Sequence, residues 1–235
     1  MQINLTTLSN GLRVLTVERP QTETVSLGVW VNTGSAYEKP EINGISHFIE
    51  HMVFKGTQKR TSLQITEDIE NVGGQTNAYT SREVTLFYAK MLKNDIELAM
   101  DVLADMVIAP TFPEDEMIKE KEVVIQEIKQ TNDDPSDIVF DYFQATAFKK
   151  QSLGMSILGP SERVRGFSSD DLRKYMKGHY AAKNMVVAAV GNLQHDIFVK
   201  MVEARMGNLR SNISFKKEQQ IYTGGCFIKK TRITT

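Results

Sequence analysis

The apolar positions of this chain follow two rhythms, one of strands and one of helices, separated by recognisable turns. Two runs rich in β-formers, "INLTTL" and "LRVLTVE", flank Asn10-Gly11, and this is a hairpin signal because both turn residues tolerate positive φ. "VSLGVWVNTG" reads as a third strand, ended by Gly34-Ser35 before the polar loop "SAYEKPEING". From Ile45 to about Phe54 the rhythm becomes helical, with Ile45, Ile49, Met52 and Val53 able to share one face. "SLQITEDIENVGG" gives a second helix, stopped by Gly73-Gly74 where a left-handed residue is wanted. "QTNAYTSREVTLFYAKML" then reads as two strands turning around Ser81-Arg82.

The second half of the chain is mostly helical. "NDIELAMDVLADMVIAP" is a helix closed by Pro110. Pro113 opens the next, "EDEMIKEKEVVIQEIKQ", whose acidic first turn suits the positive end of the helix dipole. Asp134-Pro135 begins another helix to about Lys149, and "SSDDLRKYMKGHY" starts with Ser168 and Asp171 at capping-box spacing. "NMVVAAVGNL" is a strand of the buried type, followed by a helix from about His195 to Met206. Strands and helices come in clusters and not in strict alternation. The expected fold is therefore α+β, a largely antiparallel sheet with helices packed on one face. No linker rich in Pro, Gly or Ser divides the chain, so one domain over 1–235 is the simpler organisation.

Composition narrows the function classes. Lys+Arg 28 against Asp+Glu 29 leaves a formal charge of -1, so neither nucleic acid nor an anionic membrane is expected as a partner. Charges interrupt every apolar window of bilayer-spanning length. The N-terminus reads as the first strand and not as a leader, and the single cysteine, Cys226, has no internal disulfide partner. Both features suit a reducing compartment, a bacterial cytoplasm ahead of a mitochondrial matrix.

The candidate chemistry lies in "GISHFIEHMVFKGT". On a helix, His47, Glu50 and His51 project from one side, because positions i, i+3 and i+4 are surface neighbours. Two neutral imidazoles so placed can meet one zinc ion, and the glutamate beside them can take a proton from water whose pKa the metal lowers. Catalytic zinc wants a third protein ligand on another rigid element. Glu120 and Glu127 in "EKEVVIQE" both qualify: they lie seven residues apart, along one stripe with Val123 and Val124. An unpaired buried carboxylate is costly, and a metal would compensate it. The residues alone leave the two glutamates equal. The other histidines, His179 and His195, lack partners at ligand spacing and are expected at the surface or in helix caps. Met100 and Met106 are expected in the core.

These motifs resemble the pitrilysin-type metallopeptidases, which have the inverted His-x-x-Glu-His order. Within that group the chain is similar to the processing-peptidase branch, which includes the mitochondrial processing peptidase β subunit and its bacterial relatives. The similarity covers "TTLSNGLRV", "GSAYE", "ISHFIEHMVFKGT", "GGQTNAYTSRE" and "NMVVAAVGN". The family's downstream glutamate ligand lies 76 positions after the second histidine, and Glu127 stands 76 after His51. The resemblance implies one zinc ion on His47, His51 and Glu127, with Glu50 as general base. It implies an outer position for Glu120, where it would orient a ligand or the water.

The resemblance also implies that "GGQTNAYTSRE" is an edge strand, whose main chain around Asn77 and Ala78 holds an extended peptide substrate. Read without the family, the same stretch is an ordinary hairpin strand. Family members consist of two homologous halves, so the chain is expected to be an N-terminal, zinc-bearing half. Its partner would be a C-terminal half-domain, a homologous subunit or a second copy. Residues Cys226 to Thr235 depart from the family's pattern after "YTGG" and are expected not to follow its structure. The same fold also serves as a non-catalytic assembly subunit, or the chain is an inactive fragment. The presence of His47, Glu50, His51 and Glu127 together favours a zinc endopeptidase.

Overall fold

A computed structural model describes residues 2–215 and 218–229 of the chain. In chain order, it has the hairpin β1 (Asn4–Thr7) and β2 (Arg13–Glu18), strand β3 (Thr24–Val31), and helices α1 (Ile45–Met52) and α2 (Ser62–Glu70). A second hairpin, β4 (Gln75–Thr80) and β5 (Thr85–Leu92), precedes α3 (Ile96–Ile108), α4 (Glu114–Asp133), α5 (Pro135–Ala147), α6 (Ser161–Gly166) and α7 (Ser169–His179). Strand β6 (Met185–Gly191) and helix α8 (His195–Met206) follow.

The strands form one sheet in the order β1-β2-β6-β3-β5-β4. Every neighbouring pair is antiparallel except β2 with β6, which is parallel. The α+β expectation of a largely antiparallel sheet therefore holds. The one parallel pair arises because β6 returns from α7 and not through a hairpin, so no tight turn dictates its direction.

Alternation along the strands explains why one face carries the core. In β3, Val25, Leu27, Val29 and Val31 are 0–2% exposed, while Ser26 and Trp30 on the other face are half-buried. Phe87 and Ala89 of β5 and Val187 of β6 join the sealed face, against which the helices press Phe48, Ile49, Met100, Leu103, Leu172 and Phe198. Met106 is also buried, as expected of a packing methionine.

Local devices hold the helices in place. Ser168 and Asp171 form the expected capping box at the start of α7. Thr61 and Gln64 form another at α2, which the sequence reading did not single out. Arg60 binds Asp68, Asp101 and Asp105, tying the turn after α1 to α2 and α3. Asn10, at the first hairpin turn, donates to the carbonyls of Met206 and Gly207 at the end of α8.

Several expectations need correction. Helix α6 escaped the periodicity reading because six residues give fewer than two turns of pattern. His179 is not at the surface: it is 8% exposed, stacked between Tyr175 and Phe215 at ring distances of 3.9 and 4.2 Å. His195 caps nothing. Its ring nitrogens bond the hydroxyls of Thr6 and Thr16, both at 2.8 Å, and so join α8 to β1 and β2. The segment before the C-terminus runs beside α5, with the Thr223 amide donating to the Ala147 carbonyl at 2.7 Å. Of the stretch Cys226–Thr235, residues 230–235 lie outside the described residues.

Core burial and capping predict different costs for two substitutions. Phe48→Ala, at a fully buried site on α1, is expected to lower the unfolding free energy by about 3–5 kcal/mol. Thr61→Ala, which removes a cap, should lower it by about 1 kcal/mol. Urea denaturation measures both, and equal losses would contradict this view of the core.

Candidate metal centre

Helix α1 is sealed on one side by Ile45, Phe48, Ile49 and Met52. Its 3.6-residue period turns His47, Glu50 and His51 to the other side, toward α4. The two imidazole rings lie with centroids 4.6 Å apart. Helix α4 buries Val124, Ile125 and Ile128, and this sets the rotation that brings its glutamates to α1. Val123 does not belong to that stripe: it is 46% exposed, one position round the helix from Val124.

The structure gives the two glutamates different positions. Glu127 Oε2 lies 3.8 Å from His47 Nε2 and 3.5 Å from His51 Nε2. One ligand atom from each of His47, His51 and Glu127 falls within 4.8 Å of the others. Tetrahedral zinc with bonds of about 2.0–2.1 Å spaces its ligand atoms about 3.3 Å apart, so this cluster is near the size an ion needs. Two nitrogens and one carboxylate oxygen are also a suitable donor set for that metal. Glu120 instead bonds the other nitrogen of His51, with Oε1 at 2.8 Å from Nδ1. Its second oxygen lies 2.7 Å from Lys55 Nζ. A donating Nδ1–H leaves the Nε2 lone pair of His51 facing Glu127 and His47.

Burial and charge separate the ionisable groups. His47 is pushed down to about 3, first by burial and then by neighbouring His51, so it is neutral at physiological pH. Burial works the same way on His51, but the hydrogen bond to Glu120 and the Glu127, Glu120 and Glu50 carboxylates outweigh it and raise its pKa. Burial also opposes ionisation of Glu120, yet its bonds from His51 and Lys55 hold the carboxyl below the ordinary range. The Glu50 carboxyl is raised by burial, against hydrogen bonds from Thr80 and the His51 charge. Its Oε2 is buried and has no hydrogen-bond partner among the described residues. A carboxylate so disposed is suited to accept and return a proton.

β4 forms one edge of the sheet and packs against α1. The Thr80 hydroxyl, at its end, reaches the Ser46 carbonyl at 3.5 Å. Asn77 is exposed and Ala78 is buried, and the Ala78 amide donates to Asn77's own side-chain oxygen at 2.8 Å. Lys55 and Thr80 went unnoticed in the sequence. Lys55 stands four residues after His51, a spacing that can signal a shared face, whereas nothing local marks Thr80. A cavity of about 830 Å³ lined by Tyr37, Phe148 and Phe215 includes none of His47, Glu50, His51 or Glu127, so volume does not locate the chemistry here.

Residues 13–161, which contain all the residues of the cluster, match the model of the insulinase family, peptidase family M16. The chain belongs to that family. Residues 166–232 match a second M16 model, described as the peptidase M16 inactive domain, and they supply β6 in the middle of the same sheet. The M16 relatives include a probable mitochondrial-processing peptidase subunit beta of Arabidopsis thaliana, 42% identical over 90% of this chain and 40% of its own length. They also include an uncharacterized zinc protease, YmxG, of Bacillus subtilis, 46% identical over 86% of this chain and 49% of that protein. The chain spans about half the length of the curated relatives it matches. A protease from Helicobacter pylori shares the fold with a TM-score of 0.86 at 23% identity, covering 94% of this chain and 53% of that one. No helix among the described residues is long and apolar enough to cross a membrane.

The electrostatic asymmetry of the two imidazoles has a measurable result. An imidazolium offers a metal no lone pair, so protons compete at His51 but not at His47 over the physiological range. Zinc affinity is expected to fall as pH drops through the raised His51 pKa, its logarithm changing by about one unit per pH unit. Titration with a chelating competitor measures the slope. A slope near two would show that both rings titrate and would contradict this assignment.

Proposed function

We propose that the chain is the zinc-bearing half of a processing-type endopeptidase that hydrolyses extended peptides, with one zinc ion held by His47, His51 and Glu127. The observation that carries this reading is the convergence of two imidazole nitrogens and a carboxylate oxygen from separate helices, with a half-buried carboxyl, Glu50, one turn along from His47. Zinc bound there supplies Lewis-acid polarisation and lowers the pKa of water.

The chain's own residues do the rest. Glu120, itself held by Lys55, orients the His51 ring. Glu50 takes the proton of the attacking water and returns it to the departing amine. Strand β4 receives the substrate as an added strand, whose main chain pairs beside Asn77 and Ala78 largely independently of side-chain identity. The incoming carbonyl takes the Ala78 amide from the Asn77 side chain that holds it in the free protein.

Full activity needs a second half, supplied in cis or by a homologous subunit or second copy, as the length of the relatives suggests. A relative named as a subunit supports an assembly of this kind. The lone cysteine fits a reducing compartment, here assigned to a bacterial cytoplasm.

The test compares the 235-residue chain with Glu50→Gln, each mixed with a homologous second half and assayed on an extended peptide. Cleavage should fall at least about a hundredfold in the variant, with zinc content unchanged. A metal-replete Glu50→Gln protein that cleaved at the parent rate would remove Glu50 from its role.

A further inference from the structure

The helix that carries His47, Glu50 and His51 begins without a cap of its own. Its N-cap is Gly44, which has no side chain to receive the first free N–H groups. Glycine is required there. Gly44 has φ +96, and a Cβ would come within 2.5 Å of the Leu158 carbonyl oxygen. The passing segment is equally tight, since a Cβ on Gly159 would lie 2.3 Å from the Asn43 carbonyl oxygen. No serine or aspartate can therefore cap α1 at its own N-terminus, and the acceptor has to come from elsewhere.

It comes from Glu38, which is 3% exposed. Its Oε1 accepts from the Ser46 amide at 2.8 Å, and its Oε2 from the Gly44 amide at 2.7 Å and the Asn43 side-chain amide at 2.9 Å. No lysine, arginine or histidine forms an ion pair with Glu38 among the described residues, so the positive end of α1 and these N–H dipoles are what face its charge. A buried carboxylate held by dipoles alone is an expensive way to cap a helix. Its worth lies in geometry. Ser46 directly precedes His47, and its hydroxyl is pinned from the other side by Tyr175 at 2.8 Å, which in turn meets Thr33 at 3.0 Å. The first turn of α1 is thus fixed both along its axis and in rotation. A helix rotates about 100° per residue, so small slippage at Ser46 swings His47, and one turn later Glu50 and His51, away from Glu127.

We propose that Glu38 is a positioning residue for the metal centre: its buried carboxylate sets the depth and rotation of α1, and with them the placement of His47, Glu50 and His51. This inference rests on the reading of His47, His51 and Glu127 as metal ligands. Glu38→Gln keeps the shape but sets an NH₂ group against one of the donors, so one contact to the helix start is lost.

The test uses Co²⁺ as a probe, with affinity and ligand-field absorption measured on the 235-residue chain at a temperature where circular dichroism shows each variant folded. The control is Thr61→Ala, which uncaps α2 and touches no proposed ligand. It should lower the melting temperature and leave Co²⁺ affinity within about twofold. Glu38→Gln should weaken Co²⁺ binding about tenfold and change the absorption spectrum, the size of effect that supporting residues around metal sites exert. Affinity and spectrum equal to the parent would overturn the proposal. If Glu38→Gln fails to fold, Asn43→Ala, which removes one donor to Glu38 together with a bond to the Ser156 carbonyl, should still weaken binding about threefold; unchanged affinity there would overturn it equally. A parent chain that takes up no Co²⁺ would instead defeat the metal reading itself.

Discussion

The constraint on which the rest of the structure depends is the double duty of helix α1. One side must fill the core with Ile45, Phe48, Ile49 and Met52, while the other carries two imidazoles and a carboxyl into a half-buried position. Polar groups withdrawn from water have to be partnered or made neutral. His47 becomes neutral, and His51 is bonded to Glu120. Glu50 has its pKa raised. The ring nitrogens and carboxylate oxygen left facing one another are a group that could hold a cation.

Helix α4 meets this demand with two glutamates that are chemically identical and positioned differently. Glu120 is buried against His51 and Lys55, where its charge is neutralised by neighbours. Glu127 is more exposed and stands where its oxygen faces both Nε2 atoms. Seven residues along a helix is about two turns, so both reach α1. Which nitrogen each one meets follows from the height at which α4 crosses α1, set by the buried Val124, Ile125 and Ile128. The loop before α1 adds a third carboxylate, Glu38, at the helix start. Three carboxylates from outside the helix therefore grip it at its beginning and at its second histidine.

Much of this was legible in the sequence because it is periodic. The strands, the long helices and the shared side of His47, Glu50 and His51 all follow from repeats of 2 and 3.6 residues. The hairpin at Asn10-Gly11 and the cap at Ser168 were readable from local turn and cap chemistry. What stayed hidden depends on contacts between distant segments. Glu38 meets α1 only after the intervening loop has folded back. His179 is enclosed by Phe215 from 36 positions further on, and His195 by threonines of the first hairpin. Glu120 and Glu127 had equal claims by helix spacing alone; the family's 76-residue spacing told them apart, and the crossing of the two helices gives them different neighbours. Val123 shows the limit of the periodic reading, since one position of rotation decides between the core and solvent.

The central claim concerns one ion and three side chains, so the most direct measurement is anomalous diffraction at the zinc edge from crystals of the chain grown with zinc. The account predicts a single strong peak about 2.0–2.2 Å from His47 Nε2, His51 Nε2 and a Glu127 carboxylate oxygen, with Glu120 still on His51 Nδ1. A peak coordinated by Glu120 in place of Glu127, or no peak between α1 and α4, would contradict it.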